Sequence, residues 1–182
     1  MEKIPESFQS LQHYFGSFIF PLLEETRAEL SSRLDIISSA PYAGVTSLEK
    51  SSKPYGESLY DVKVDHWIYK SCNSGNEPYR IFPGDIFVFT DGKPETVSDL
   101  GQDGRTWTLA SVTDTDGTGT DFKVKASCCI EVKPLFVVFL TNITTNERIW
   151  NALHMFGNEA IIKEVLCTNH EVSFVEIVRI IF

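Results

Sequence analysis

The chain is predicted to be an α+β unit: a small antiparallel β-barrel flanked by N-terminal stalk helices and a C-terminal helix pair. Three observations predict it. Phe8, Leu11, Phe15 and Phe18 recur at three- and four-residue steps, and Leu23, Leu30, Leu34 and Ile37 continue the stripe; that is the period of a helix. From Val45 to about Leu140 the period gives way to five or six short strand patterns with regular turn signals, as in a small barrel. Helical spacing then returns after Asn142. The segments are 1–44 (helical stalk), 45–141 (antiparallel barrel) and 142–182 (C-terminal helices and an apolar tail), within one compact unit.

The first element runs from Ser7 to about Ser38. Pro21 has no N–H to donate and clashes with the preceding turn, which predicts a break or kink there. A short helix would then lead into a longer one whose first turn carries Glu24 and Glu25, where the helix dipole favours negative charge. Ala40-Pro41 ends the pattern.

In the barrel region, Leu59 to Val64 alternates, and Trp67-Ile68-Tyr69 extends the same element. Asn73-Ser74-Gly75-Asn76 is a turn. Pro83-Gly84-Asp85 opens the short buried strand Ile86-Phe87-Val88-Phe89, which Asp91-Gly92 stops. Trp107 to Val112 is the next strand, and the loop Asp114 to Thr120 leads into Phe122-Lys123-Val124-Lys125-Ala126. Leu135 to Leu140 is apolar throughout, so that strand is buried on both faces or lies at a sheet centre. Thr144 and Glu147 have capping-box spacing and open a helix through Ile149, Trp150 and Leu153 that stops at Gly157. Asn158 caps a second helix, and an apolar tail runs from Val172 to Phe182.

Composition narrows the function. Of the 182 residues 42% are hydrophobic and 23% charged, close to a globular average, which argues against wholesale disorder. The net charge of −9 argues against autonomous binding to a phosphate backbone, which needs a net basic face. Within Asp61 to Lys133 there are 8 Lys/Arg against 12 Asp/Glu, so the central region is acidic too. The N-terminus has neither a basic start nor an apolar core of signal-peptide type, and no apolar run reaches the roughly 18 residues that span a bilayer. The expected compartment is intracellular and reducing, with no membrane partner.

Four cysteines, Cys72, Cys128, Cys129 and Cys167, show no CxxC spacing, so neither a disulfide framework nor a zinc knuckle is expected. If adjacent Cys128 and Cys129 lie in a strand they point to opposite faces, which favours ordinary packing over a shared metal. Asp91-Gly92-Lys93-Pro94 fails the phosphate-loop pattern because Pro94 replaces the hydroxyl residue. Asp114, Asp116 and Asp121 lack the terminal Glu of a calcium loop, since Lys125 stands at position twelve. His13, His66, His154 and His170 are scattered, with no nucleophile elbow beside them. No catalytic, cofactor or metal residue is therefore expected. Asn142-Ile143-Thr144 matches a glycosylation pattern, but a role at the following helix cap fits better. Lys123 and Lys125 share a strand face, with Lys93 and Arg105 in nearby turns and aromatic Trp107 and Phe122 close in sequence. These four basic residues are the candidate nucleic-acid-binding set, set against acidic Asp103, Asp114, Asp116 and Asp121.

An ordered series of segments carries a resemblance. It comprises Ser7-Phe8-Gln9-Ser10 through Tyr14, then Phe18 to Leu30 with its Pro21-Leu22-Leu23-Glu24-Glu25; Lys53-Pro54-Tyr55-Gly56; and Leu59 to Val64. Pro83 to Phe89, Gly104-Arg105-Thr106-Trp107, Ala110-Ser111-Val112, Phe136 to Asn146 and Arg148 to Leu153 complete it. Together they resemble the plant senataxin-like (MAGATAMA-type) superfamily 1 helicases, in the region upstream of their ATPase motifs. The match covers nearly all of Ile4 to Cys167. It implies a stalk helix, a barrel and a returning stalk helix that modulate a helicase motor, in the nucleus or cytoplasm. The Walker A and Walker B elements of that family are absent here, so no catalytic residue carries over, and a truncated or rearranged gene product would account for this.

The expected function is therefore a non-catalytic accessory module related to superfamily 1 RNA/DNA helicases. Tyr14, Phe18, Leu22, Leu23, Ile149, Trp150 and Leu153 would pack its stalk, and Ile86, Val88, Trp107, Val137 and Phe139 would fill its barrel. The alternatives are a single-stranded RNA- or DNA-binding module, and a protein-interaction regulator that docks on a full-length helicase motor.

Overall fold

A computed structural model describes residues 4–5, 7–51, 58–68, 79–130 and 135–154. Their order is helix α1 (Leu11–Asp35), strands β1 (Tyr42–Lys50), β2 (Leu59–Val64), β3 (Asp85–Thr90), β4 (Trp107–Thr115), β5 (Asp121–Ala126) and β6 (Phe136–Asn142), then helix α2 (Thr144–His154). The fold is α+β. The strands close a six-stranded antiparallel barrel in the order β1-β2-β5-β4-β3-β6. The turn at Asn73–Asn76, Tyr69, the Lys53–Gly56 segment, the helix after Asn158 and the apolar tail lie outside the described residues. Two compact units divide the chain: Thr26–Glu147, which contains the barrel, and Met1–Glu25 with Arg148–Phe182.

Alternation along β5 and β2 sends one side chain in two inward. Tyr60, Val62, Phe122 and Val124 join Phe87, Phe89, Val112 and Val137 in the barrel core. Register shifts at Val45/Ser47, Ile86/Phe87 and Val112/Asp114 bend the strands, and such bulges add the local twist a small barrel needs to close. Trp67 fills one end. Its indole Nε1 donates to the Gly119 carbonyl at 2.9 Å, and its ring meets Tyr79 at 4.7 Å between centroids. The backbone of Ile68 bridges to Tyr42, so strand β2 ends at Val64 and does not continue through Trp67.

A second apolar layer lies outside the barrel. Ile86, Val88, Val138 and Leu140 on β3 and β6 bury their outward side chains against Ile37 and Leu100, with Leu30 and Leu34 of α1 packed over them. All six residues of β3 are consequently buried. This corrects the expected filling of the barrel. Val137 and Phe139 point inward as expected, whereas Ile86 and Val88 face the helix layer, and Trp107 is 43% exposed at the rim. Glu29 Oε1 accepts from the Thr141 hydroxyl at 2.6 Å, and Asn146 Nδ2 donates to Thr26 Oγ1 at 2.7 Å.

Helix α1 runs unbroken through Pro21, contrary to the expected division into two helices. Proline there costs about 3 kcal/mol. Burial of Phe15 before it and Leu22 after it offsets that cost, so Glu24 and Glu25 sit mid-helix. The expected stalk packing holds in part. Tyr14 and Phe18 meet with ring centroids 5.0 Å apart and Leu22 is buried, whereas Leu23, Ile149 and Trp150 are exposed. The capping box at α2 is replaced by another device. Asn142 Oδ1 accepts the Thr144 N–H at 3.0 Å, while the Thr144 hydroxyl donates to the Pro83 carbonyl at 3.0 Å.

Candidate functional site

Three places on the barrel unit gather polar or reactive side chains. The first is the opening of β3. Phe82 to Asp85 forms a turn closed by the Asp85 N–H donating to the Phe82 carbonyl at 3.1 Å, with Gly84 at φ +84°. That φ suits glycine, and a Cβ at Gly84 would also collide with the Thr144 hydroxyl. Asp85 is 2% exposed, and a buried carboxylate needs partners. It has three. The Tyr79 hydroxyl and Phe82 N–H donate to Oδ2 at 2.5 and 2.8 Å, and Asn142 Nδ2 donates to Oδ1 at 2.7 Å. Asn142 also donates to the Pro83 carbonyl at 3.1 Å. Pro83-Gly84-Asp85 is thus the knot that ties β3, β6 and the start of α2. Its chemistry is consumed internally.

The second place is the open outer face of β2 and β5. Lys123 and Lys125 both point outward there, as the alternation implies. Lys123 stands with Lys63 in a cross-strand ladder of mixed sign, while Lys125 lies opposite Leu59 and Ser111. Lys63 faces Asp121 with Nζ to Oδ1 at 2.7 Å, and Lys123 faces Asp61 at 3.9 Å. The shallow groove over this face, about 280 Å³, is lined by Glu49, Asp61, Asp114, Asp116 and Asp121 against only Lys63 and Lys123. The hydrogen bond from Lys63 holds the Asp121 carboxyl below its usual range, and the same bond raises the Lys63 ammonium.

The third place is the barrel end opposite Trp67. A groove of about 310 Å³ is lined there by Phe89, Arg105, Trp107, Thr108, Cys128 and Cys129, among others. Arg105 Nη1 donates to the Gly92 carbonyl at 3.0 Å and lies 3.8 Å from Asp91 Oδ1. The Asp91–Gly92 turn therefore draws on its charge.

Of the four candidate basic residues, Lys123 and Lys125 share the outward face of β5, while Lys93 and Arg105 lie in the β3–β4 connection. Lys93 stacks over the Tyr42 ring at 4.0 Å from its centroid, and Tyr42 belongs to the helix-covered layer. Strand order puts β5 and its two lysines across the barrel from β6. Arg105 is at the rim. Phe122, expected beside Trp107 on a binding track, is 4% exposed and faces the interior. The ordinary packing expected of Cys128 and Cys129, had they lain in a strand, is not what the structure shows. β5 stops at Ala126, and both thiols are free and exposed. Asp99, not singled out from sequence, caps a 3-10 turn by accepting the Thr96 and Glu95 N–H groups, each at 2.8 Å. Those bonds, Thr96 first, lower its carboxyl pKa.

Among the described residues, no group of three or more His, Cys, Asp or Glu is placed to hold a metal ion, and no helix is long and apolar enough to cross a membrane. No curated protein matches the chain. A family model described as a domain of unknown function, DUF6469, matches residues 1–173, and the chain belongs to that family.

Proposed function

We propose that the chain is a non-catalytic accessory module of the superfamily 1 helicase type, a stalk and barrel acting through protein contacts on a motor carried elsewhere. One observation carries the reading. Large apolar side chains stand exposed on the helical arms, Phe20 and Leu23 on α1 and Ile149 and Trp150 on α2, while carboxylates outnumber lysines in the groove over the open barrel face. Exposed apolar surface suits protein contact, whereas a phosphate track needs unmatched cations. The ordered resemblance from the α1 segment through Pro83-Gly84-Asp85 to the α2 segment supports the helicase type. These residues carry no Walker A or Walker B element, so the proposed role leaves ATP chemistry to a motor outside them.

The test is calorimetric titration of the full chain into a purified senataxin-like motor, with the ATPase rate of the motor followed in parallel. A saturable complex that changes the rate, and is weakened by Phe20→Glu with Leu23→Glu, is the expected result. Absence of a complex, or ATP hydrolysis by the chain alone, overturns the reading.

The rim groove favours a second reading, binding of a single-stranded nucleic acid, because exposed Trp107 beside Arg105 offers a stacking platform next to a cation. Quenching of indole fluorescence by an oligonucleotide, lost in Trp107→Ala, would support it, and unchanged emission would remove it.

A further inference from the structure

Neither the accessory role nor the stacking reading uses the two thiols at the barrel rim. Cys128 and Cys129 are adjacent, free and exposed. The backbone holds them in place from both sides. Ser127 N–H donates to the Leu109 carbonyl at 2.9 Å, and Ile130 N–H donates to the buried Tyr60 hydroxyl at 3.1 Å. The Cys128 sulfur is in hydrogen-bond contact with the Thr108 hydroxyl. Cys128 and Cys129 both line the same groove as Arg105 and Trp107. Thiols that react with oxidants are solvent-accessible and stand beside a second cysteine that resolves the first product. Structural cysteines are buried instead. This pair meets the first description.

We propose that Cys128 and Cys129 form a reversible thiol-oxidation site that takes a hydroperoxide as oxidant and closes to a disulfide between neighbours. In the first step one sulfur, as thiolate, attacks the peroxide. The O–O bond breaks, a sulfenic acid forms, and the leaving oxygen departs as water or alcohol after taking a proton. In the second step the other sulfur displaces the sulfenic oxygen. The S–S bond forms, the S–O bond breaks, and a second water leaves. Two electrons pass from the two sulfurs to the peroxide. Neighbouring Cα atoms are about 3.8 Å apart, below the roughly 4.4–6.8 Å span of ordinary disulfides. The product is therefore strained and readily reduced, which makes the site reversible. The Trp107 indole in the same groove reports the change.

The test treats the full chain with stoichiometric hydrogen peroxide, alkylates remaining thiols and maps the tryptic peptide that begins at Ala126. The expected peptide lacks two hydrogens, resists alkylation at both cysteines and regains both thiols on phosphine reduction. In Cys129→Ser, Cys128 is expected to give a sulfenic acid trapped by dimedone instead. Three results would overturn the proposal: both sulfurs staying fully alkylatable, both linking to Cys72, Cys167 or another chain, or direct passage to sulfinic acid. A double variant, Cys72→Ser with Cys167→Ser, keeps the chemistry if the proposal holds and loses it if those cysteines are the true partners.

Discussion

The two outer faces of the barrel have opposite chemistry, and their strands are built from different alphabets. On β3 and β6 the outward residues Ile86, Val88, Val138 and Leu140 are apolar and lie under α1. On β2 and β5, across the barrel, the outward residues Asp61, Lys63, Asp121, Lys123 and Lys125 are charged. The covered face gains burial, worth about 25 cal/mol per Å² of apolar surface. The open face gains little stability, because exposed ion pairs are worth about 0–1 kcal/mol each. What the open face acquires is charge of mixed sign, with carboxylates in excess along its groove. A lysine whose field is met by a carboxylate across the ladder is a poor anchor for phosphate. One face thus holds the fold together, and the other remains wet without becoming a basic track.

The difference can be broken most severely at the knot beside the covered face. Asp85→Ala should cost about 4 kcal/mol, because the Tyr79 hydroxyl, the Phe82 N–H and the Asn142 amide all lose their acceptor. Denaturant unfolding measures this, and a loss below about 1 kcal/mol would show that the knot is dispensable. Leu140→Ala, 4% exposed in the wild type, should cost about 3 kcal/mol from lost transfer energy and the cavity left under α1. A neutral result there would mean that the helix does not press on β6.

On the open face, Lys123→Ala should change stability by no more than about 0.5 kcal/mol. A larger loss would indicate that the ladder is structural. The smallest effect is pH-dependent. Asp121 has a depressed folded-state pKa owing to Lys63, so its contribution is present above the unfolded carboxylate value and disappears as pH falls through the folded one. Lys63 is raised, so its contribution is complete below its ordinary value of 10.5 and fades as pH climbs through the higher folded value. Thermal melts of Asp121→Asn should therefore fall below wild type near neutrality and converge with it in strong acid. A constant gap down to the lowest pH would sever the effect from this pair.

Much of this contrast can be read directly from the residues. The unbroken apolar run of β6 announces burial on both faces, and the alternation of β5 places Lys123 and Lys125 outside. The phase of β3 is illegible for a physical reason. When every residue is buried, alternation no longer distinguishes the barrel interior from the helix layer, so Ile86 and Val88 can be placed on either side. Trp107 misleads because an aromatic at the first position of a strand reaches the rim and not the core. Pro21 misleads because local backbone cost is visible in sequence while the burial of Phe15 and Leu22 that offsets it is not. Lys93 and Arg105 lie in the connection between β3 and β4, engaged with Tyr42 and the Gly92 carbonyl, and not on the outward strand face that carries Lys123 and Lys125.

The central claim is that carboxylates outnumber lysines over the open β2/β5 face, so that this face does not grip phosphate, as the proposed role in protein contact requires. Fluorescence anisotropy of a labelled single-stranded oligonucleotide, titrated with the full chain at about 50 mM salt, tests it most directly. The account predicts no rise from this face, so the Lys123→Glu, Lys125→Glu variant should give the same curve as wild type. A salt-sensitive rise that this double variant abolishes would contradict it.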